Sequence, residues 1–441
     1  MIHSGMLRVV NARVVTCEDM AVIDDGTLIA EDDRIVWVGP SNSVPDQHTG
    51  EMATIDGRGL TLMPGLVDAH MHISFGEAAS EEELSIHTPD AYRAIRAGAN
   101  AKRVLDAGVT SACDPGGPQG IAVAVRDAVE AGIIAGPRFA AAGRQITTQL
   151  GIGDTLPSIL HDLPGAFGKL VRSTDEIVQE IRDEVKDGVD LIKIAGSGPG
   201  TEEFGAFTLD ELLVATREAH RVGRPIAIHA RSRQSIADAV TAGFDWIMHA
   251  SYIDSQTIDQ LVGANIPIVP ALTLLVNMLE AGPGAMSQGA LDGVKRELDA
   301  AVANLSKALS HGAVLIAGSE SGFAMTPYGM WHSRELELFV DLLGMSDHDA
   351  LLSMTKRAAF AVPRHTSLIG TLTPGKYADF LLVDGKPDRD VRVLGDRSKL
   401  HAVVKGGQVV MPSEPAGTDR QSFERTRLYT RALHVRPQAG Q

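Results

Sequence analysis

His70 and His72 stand two residues apart in Pro64-Gly65-Leu66-Val67-Asp68-Ala69-His70-Met71-His72, at the end of an apolar run. On an extended strand, residues i and i+2 project to the same side, so this spacing presents two imidazoles to one metal ion. Taken alone, the pair reads equally well as two polar residues at a strand mouth. Four further apolar runs carry metal-capable groups in similar places: Lys193 inside Leu191-Ile192-Lys193-Ile194-Ala195, His229 and His249 at the ends of theirs, and Glu320 just beyond 314–318. Singly, each has a plainer account: a buried lysine neutralised by a carboxylate, hydrogen-bonded core histidines, a glutamate capping a turn. Jointly they point to a metal site. His3, His48, His161, His220, His311, His348, His365, His401 and His434 show no such placement and read as surface or structural.

The elements that must position these groups follow from the texture of the chain. The first sixty residues hold short β-type runs broken by Asp-Asp and Gly-Pro turn signals, a β meander. From residue 61, apolar runs alternate with segments of helical spacing. Strands are expected at 62–68, 109–113, 138–142, 191–195, 225–229, 246–249, 267–271 and 314–318. Helices are expected around 92–107, 121–134, 174–187, 208–222, 234–243, 255–263, 290–311 and 333–343. Eight such pairs imply an α/β fold, a (β/α)8 TIM-like barrel, whose active residues gather at the C-terminal ends of the strands. The β texture returns at 378–383, 401–404 and 409–411, with a Gly406-Gly407 turn. The expected domains are therefore a composite β domain from 1–60 and 366–415, a barrel over 61–365, and a polar tail, 416–441, that extends freely or grips a neighbouring subunit.

Composition narrows the function classes. With 40 Lys plus Arg against 56 Asp plus Glu, the formal charge of −16 and the lack of a basic stripe exclude nucleic acid as an expected partner. Two cysteines, Cys17 and Cys113, cannot make a disulfide framework or a thiolate zinc site, which suggests a reducing, cytoplasmic setting. No run is long enough for a membrane span, and the start Met1-Ile2-His3-Ser4-Gly5 lacks signal-peptide features.

With these residues in place, the sequence resembles the amidohydrolase superfamily, in its prolidase-like and imidazolonepropionase-like branch of metal-dependent hydrolases. The resemblance rests on the 64–72 motif, on Leu105-Asp106-Ala107-Gly108-Val109-Thr110-Ser111 with Asp114 after it, and on Pro374-Gly375-Lys376-Tyr377-Ala378-Asp379-Phe380 with the strand over 403–410. It implies a barrel with a small β-sandwich built from both chain ends. It further implies two divalent ions, zinc or else manganese or cobalt, held by His70, His72, His229, His249 and Glu320, and bridged by a CO₂-derived carbamate on Lys193. The implied reaction is cleavage of a C–N bond in a small molecule (amide, N-acyl amino acid, dipeptide, carbamate or urea) by a metal-bound hydroxide, with Glu320 moving the proton. A homo-oligomer is implied as well.

Two departures from the family pattern matter. The strand-eight motif, normally built on Asp, reads Gly318-Ser319-Glu320-Ser321-Gly322, and the extra methylene moves the carboxylate by roughly 1.5 Å, enough to alter which metal it reaches. Single-metal occupancy follows as an alternative. After strand three, Thr147-Thr148-Gln149-Leu150-Gly151 stands where dipeptide-cleaving relatives often have Gly-Gly-His, which weakens a peptidase reading. Arg231, Tyr252, Tyr328 and His332 are candidate substrate contacts. The loop Gly196-Ser197-Gly198-Pro199-Gly200 reads as a flexible rim, 282–289 as a lid, and Met278 and Met286 as packing residues. Ester or lactone hydrolysis would use the same groups. A mononuclear deaminase is disfavoured, because Ser232 occupies the position where deaminases carry Glu, three residues after His229. A catalytically silent ligand-binding barrel is disfavoured too, since such a barrel has no physical need for this many polar groups around one cavity.

Overall fold

The structure, a computed structural model, describes residues 5–410 apart from 20, 49–50, 150, 155, 161–162, 164, 199–203 and 285. The expected tail 416–441, the end of the C-terminal β segment (411–415), Leu150 and the Pro199-Gly200 part of the expected rim lie outside the described residues, as do His3, His161 and His434.

Both chain ends contribute to one sheet. Met6–Val15, Val22–Glu31 and Arg34–Pro40 pair antiparallel, with a left-handed Asp32 in the turn between the second and third. Thr61–Pro64 lies beside Met6–Val15 and accepts Phe380–Val383 antiparallel on its other edge, followed by Leu400–Lys405 and Gln408–Val410. The Gly406-Gly407 hairpin needs positive φ at both residues, 56° and 72°, which glycine supplies without steric cost.

The run expected as one strand at 62–68 is two. Gly65 donates its N–H to the Asp379 carbonyl, whereas Leu66 donates to Gly108, so the chain leaves the antiparallel sheet and enters a parallel one between these residues. Pro64 has no N–H to continue the first ladder, and a Cβ at Gly65 would sit 2.1 Å from the Thr110 hydroxyl oxygen. Glycine is what allows the crossing.

Beyond it the strands are parallel. Leu66–Asp68, Val109–Asp114 and Arg138–Ala141 form one sheet. Gly168–Leu170, Gln145–Thr147, Ile192–Ala195, Ile226–Ala230, Trp246–His249 and Ile268–Val269 form a second. Helices Asp90–Asp106, Ile121–Glu130, Thr174–Lys186, Leu209–Arg221, Arg233–Ala242, Ser255–Ala264 and Gln288–Ser310 alternate with them, giving a mixed α/β fold. Several start where a side chain accepts an otherwise orphaned N–H: Ser173, Thr208 in a capping box with Glu211, Ser232, Asp254 and Ser287. Helix Leu272–Ala281 was not anticipated from the sequence. Its start is capped from afar by buried Glu335, which accepts from the Leu272 and Thr273 N–H groups at 2.9 Å each.

The stretch expected as a strand at 314–318 makes isolated backbone contacts in place of a continuous ladder. Ile316 donates to Ile268 on one side, while Ala69 donates to Ala317 and His72 to Ser321 on the other. Asp190 donates to Ala141, linking the two parallel sheets. One buried cluster collects Val67, Cys113, Ala140, Leu191, Ala227, Met248, Val269 and Ile316, from successive strands of both sheets, around Trp246. Ile192 and Ile194, on the alternate face, pack in the larger core with the helices.

Candidate metal centre

His70, His72, Lys193, His229, His249 and Glu320 are each between 1 and 6% exposed. Alternation along Ile192–Ala195 turns Lys193 away from the helices, and its amine packs on the Met248 thioether. The His229 and His249 rings lie 4.4 Å apart, His70 and His249 5.5 Å, and His70 and His72 5.2 Å, between centroids. His70, His72 and Glu320 each offer a ligand atom within 4.8 Å of the others, and Glu320 Oε1 is 3.9 Å from His249 Nε2. The structure thus brings together residues spread over 250 positions of sequence.

Polar atoms in the cluster lack partners. His70 Nδ1, His229 Nε2, His249 Nε2 and Glu320 Oε2 are buried and make no hydrogen bond, a costly arrangement for groups that have left water. His72 is different: its Nδ1 lies 2.7 Å from the Gly116 carbonyl. That contact requires a proton on Nδ1 and leaves Nε2 as a lone-pair donor, as in metal-binding histidines oriented through their second nitrogen. Burial, followed by the nearby Lys193, holds His70 well below the usual imidazole range, while burial and Arg231 do the same to His229 and His249. Neutral imidazoles are the ligand form. Burial also depresses the Lys193 amine to about 7, against some upward pull from Glu320 and Cys113, and it raises Glu320. Orphaned lone pairs, neutral rings and an amine able to lose its proton near pH 7 fit divalent ions.

The backbone at the site is strained. Glu320, His249 and Ala250 have φ of 52°, 74° and 58°, left-handed values that cost non-glycine residues of order 1–3 kcal/mol each. Glu320 is held there because its N–H donates to the His70 carbonyl at 2.6 Å and its own carbonyl accepts from Thr326 Oγ1 at 2.7 Å. At Gly318 a Cβ would fall 2.6 Å from the His70 Cβ, so this close approach requires glycine.

The candidate substrate contacts are placed as follows. Arg231 is buried, with Nε 3.0 Å from Glu297 Oε1. Tyr252 is half-buried and lines a cleft of about 310 Å³ with Arg233, Asp254, Ser255, Asn304 and Lys307, none of them a residue of the histidine cluster. Tyr328 is buried and its hydroxyl donates to the His72 carbonyl at 2.5 Å. His332 is buried against Asp68. Ser232 caps helix Arg233–Ala242 by accepting from the Ser235 N–H. Sequence reasoning passed over three participants. Asp68 was visible inside the 64–72 motif; Gly116 acts only through its carbonyl, and Glu297 sits on the buried face of a long helix, so neither carries a signal in sequence.

The amidohydrolase family profile matches residues 61–410. The chain belongs to the amidohydrolase family. It is an enzyme, a hydrolase of carbon–nitrogen bonds, in a family that is generally metal-dependent. It is 24% identical to ochratoxinase of Aspergillus niger over 405 residues, covering 87% of this chain and 82% of that protein. It is 25% identical to an imidazolonepropionase of Paracoccus denitrificans, covering 91% and 99%. Among solved structures, a Xaa-Pro dipeptidase with methionine bound in its active site superposes with a TM-score of 0.81 at 24% identity, covering 92% and 99%, a likeness of fold. No helix among the described residues is long and apolar enough to cross a membrane.

Proposed function

We propose that this amidohydrolase cleaves an amide-type C–N bond of a small molecule at a centre of one or two divalent ions, zinc or else manganese or cobalt, which His70, His72, His229, His249 and Glu320 would hold, with Lys193, once carboxylated by CO₂, as a further ligand. The observation that carries the reading is the set of buried, unpartnered polar atoms on His70, His229, His249 and Glu320, groups that neighbour one another pairwise through His249. Such ions, when bound, would polarise the scissile carbonyl and acidify water. The chain's own residues supply the rest. Desolvation keeps the His70, His229 and His249 imidazoles neutral and favours the unprotonated amine at Lys193. Glu320, whose burial raises its pKa, would take a proton from water and return it to the leaving nitrogen. Phe75, stacked on the His72 ring at 4.1 Å, and Phe323, edge-on at 6.2 Å, exclude water from that side.

We read the two parallel sheets as arcs of one (β/α)8 barrel, supported by the backbone bonds from Asp190 to Ala141 and from Ala69 and His72 to 317–321. In that reading 61–365 carries the catalytic domain, its first strand, Thr61–Pro64, completing the sheet of a separate β domain made by 1–60 and the C-terminal strands. The test is metal analysis of purified protein, with and without added bicarbonate, beside a screen of N-acyl amino acids, dipeptides, carbamates and anilides with each metal. Two ions per chain and hydrolysis of one class support the proposal; a metal-free protein that hydrolyses as fast in chelator overturns it. Light scattering would test the homo-oligomer inferred with it.

A further inference from the structure

The segment bearing Glu320 and the segment bearing His70 and His72 are separated by about 250 residues of chain, yet one side chain ties them together. Asp68 is fully buried. Its Oδ1 accepts from the His70 N–H at 3.1 Å and from the Ser319 N–H at 3.0 Å, so a single oxygen spans both segments. Its Oδ2 accepts from Ser319 Oγ at 2.5 Å and from His332 Nδ1 at 2.8 Å. Four donors converge on one carboxylate, and three of them belong to His70, a candidate ligand, or to Ser319, the residue adjacent to Glu320.

His332 completes the arrangement. The Gly329 N–H donates to its Nε2 at 3.0 Å, so Nε2 carries no proton and the ring donates from Nδ1 to Asp68. A flipped ring would lose both bonds. His332 itself is 2% exposed, with Ser319 Oγ 3.3 Å from the same Nδ1. The left-handed backbone at Glu320 persists only where its surroundings over-determine it, and Ser319, held through both N–H and hydroxyl, is the residue immediately before it.

We propose that His332 is a positioning residue: through Asp68 and Ser319 it locks the Glu320 segment onto the strand end carrying His70 and His72, and so sets the separation of their ligand atoms. This rests on the metal reading above. Outer partners of metal ligands change metal affinity by about 10- to 100-fold when removed, and the same order is expected here.

The experiment compares His332→Asn, His332→Gln and His332→Ala for zinc affinity by chelator competition, for kcat and KM on the best substrate, and for melting temperature of the metal-free protein. Asparagine can place an amide N–H near the position of Nδ1 and keep the bond to Asp68; glutamine reaches the position of Nε2 and loses it. The expected result is zinc affinity within a few-fold of wild type for Asn and lowered about 10- to 100-fold for Gln and Ala, with kcat falling more than KM rises. Should His332→Gln fold poorly, Ser319→Ala removes the other donor to Asp68 Oδ2 and is expected to weaken zinc in the same way. Equal zinc affinity in all variants overturns the positioning role while leaving the metal centre standing. A wild-type protein that binds no zinc, manganese or cobalt overturns both.

Discussion

Replacing Lys193 by methionine separates the cost of the lysine from its use. The side chain is 1% exposed and its amine meets a thioether, so methionine conserves most of the volume and removes only the ionisable end. A fall in pKa from 10.5 to about 7 corresponds to about 5 kcal/mol at about 1.4 kcal/mol per pH unit. The unfolded chain keeps its lysine proton up to about pH 10.5 while the folded, metal-free chain releases it near 7, so the unfolded state binds more protons in that window and stability rises with pH across it. The penalty is therefore fully present below pH 7 and gone above pH 10.5. Metal-free Lys193→Met should unfold at higher urea than metal-free wild type at pH 7, by up to about 5 kcal/mol, and the gap should shrink through pH 8, 9 and 10. With metal and bicarbonate the order should reverse, because only the wild type gains from binding. Parallel pH profiles for the two metal-free proteins, or a wild type more stable at pH 7, would refute the claim that this lysine is buried uncharged.

Three other outcomes follow. Glu320→Gln should lower kcat by about 10²- to 10⁴-fold, the usual worth of a general acid–base group, while metal content by elemental analysis falls far less; an unchanged rate would assign the proton transfer elsewhere. Dialysis against a strong chelator should abolish hydrolysis, and zinc with bicarbonate should restore it to a greater extent than zinc alone. Arg126→Ala should destabilise by about 3–5 kcal/mol in urea titration, since it strips the buried Asp190 carboxylate of a partner at 2.7 Å; a loss below 1 kcal/mol would show that Arg364, 3.5 Å from Asp190, suffices.

The helical and strand periodicities were legible because they are local: Trp246–His249 coincides with its expected bounds and Thr174–Lys186 falls within one residue of them. The 62–68 run was misread as one strand because both halves are apolar and extended; only the hydrogen-bond partners, Asp379 for Gly65 and Gly108 for Leu66, distinguish the sheets. Helix Leu272–Ala281 was missed for a similar reason, as its cap comes from Glu335, more than sixty residues away. Residue types at strand ends named the candidate ligands, because a side chain's chemistry and its face of a strand are set by identity and alternation. Which nitrogen of His72 is free, how Glu320 holds a left-handed backbone, and that His332 meets Asp68 depend on Gly116, Thr326 and Gly329. Gly116 and Gly329 act through backbone groups that every residue carries, and nothing in the residue order marks the Thr326 hydroxyl as the one that reaches the Glu320 carbonyl, so tertiary structure alone could decide them.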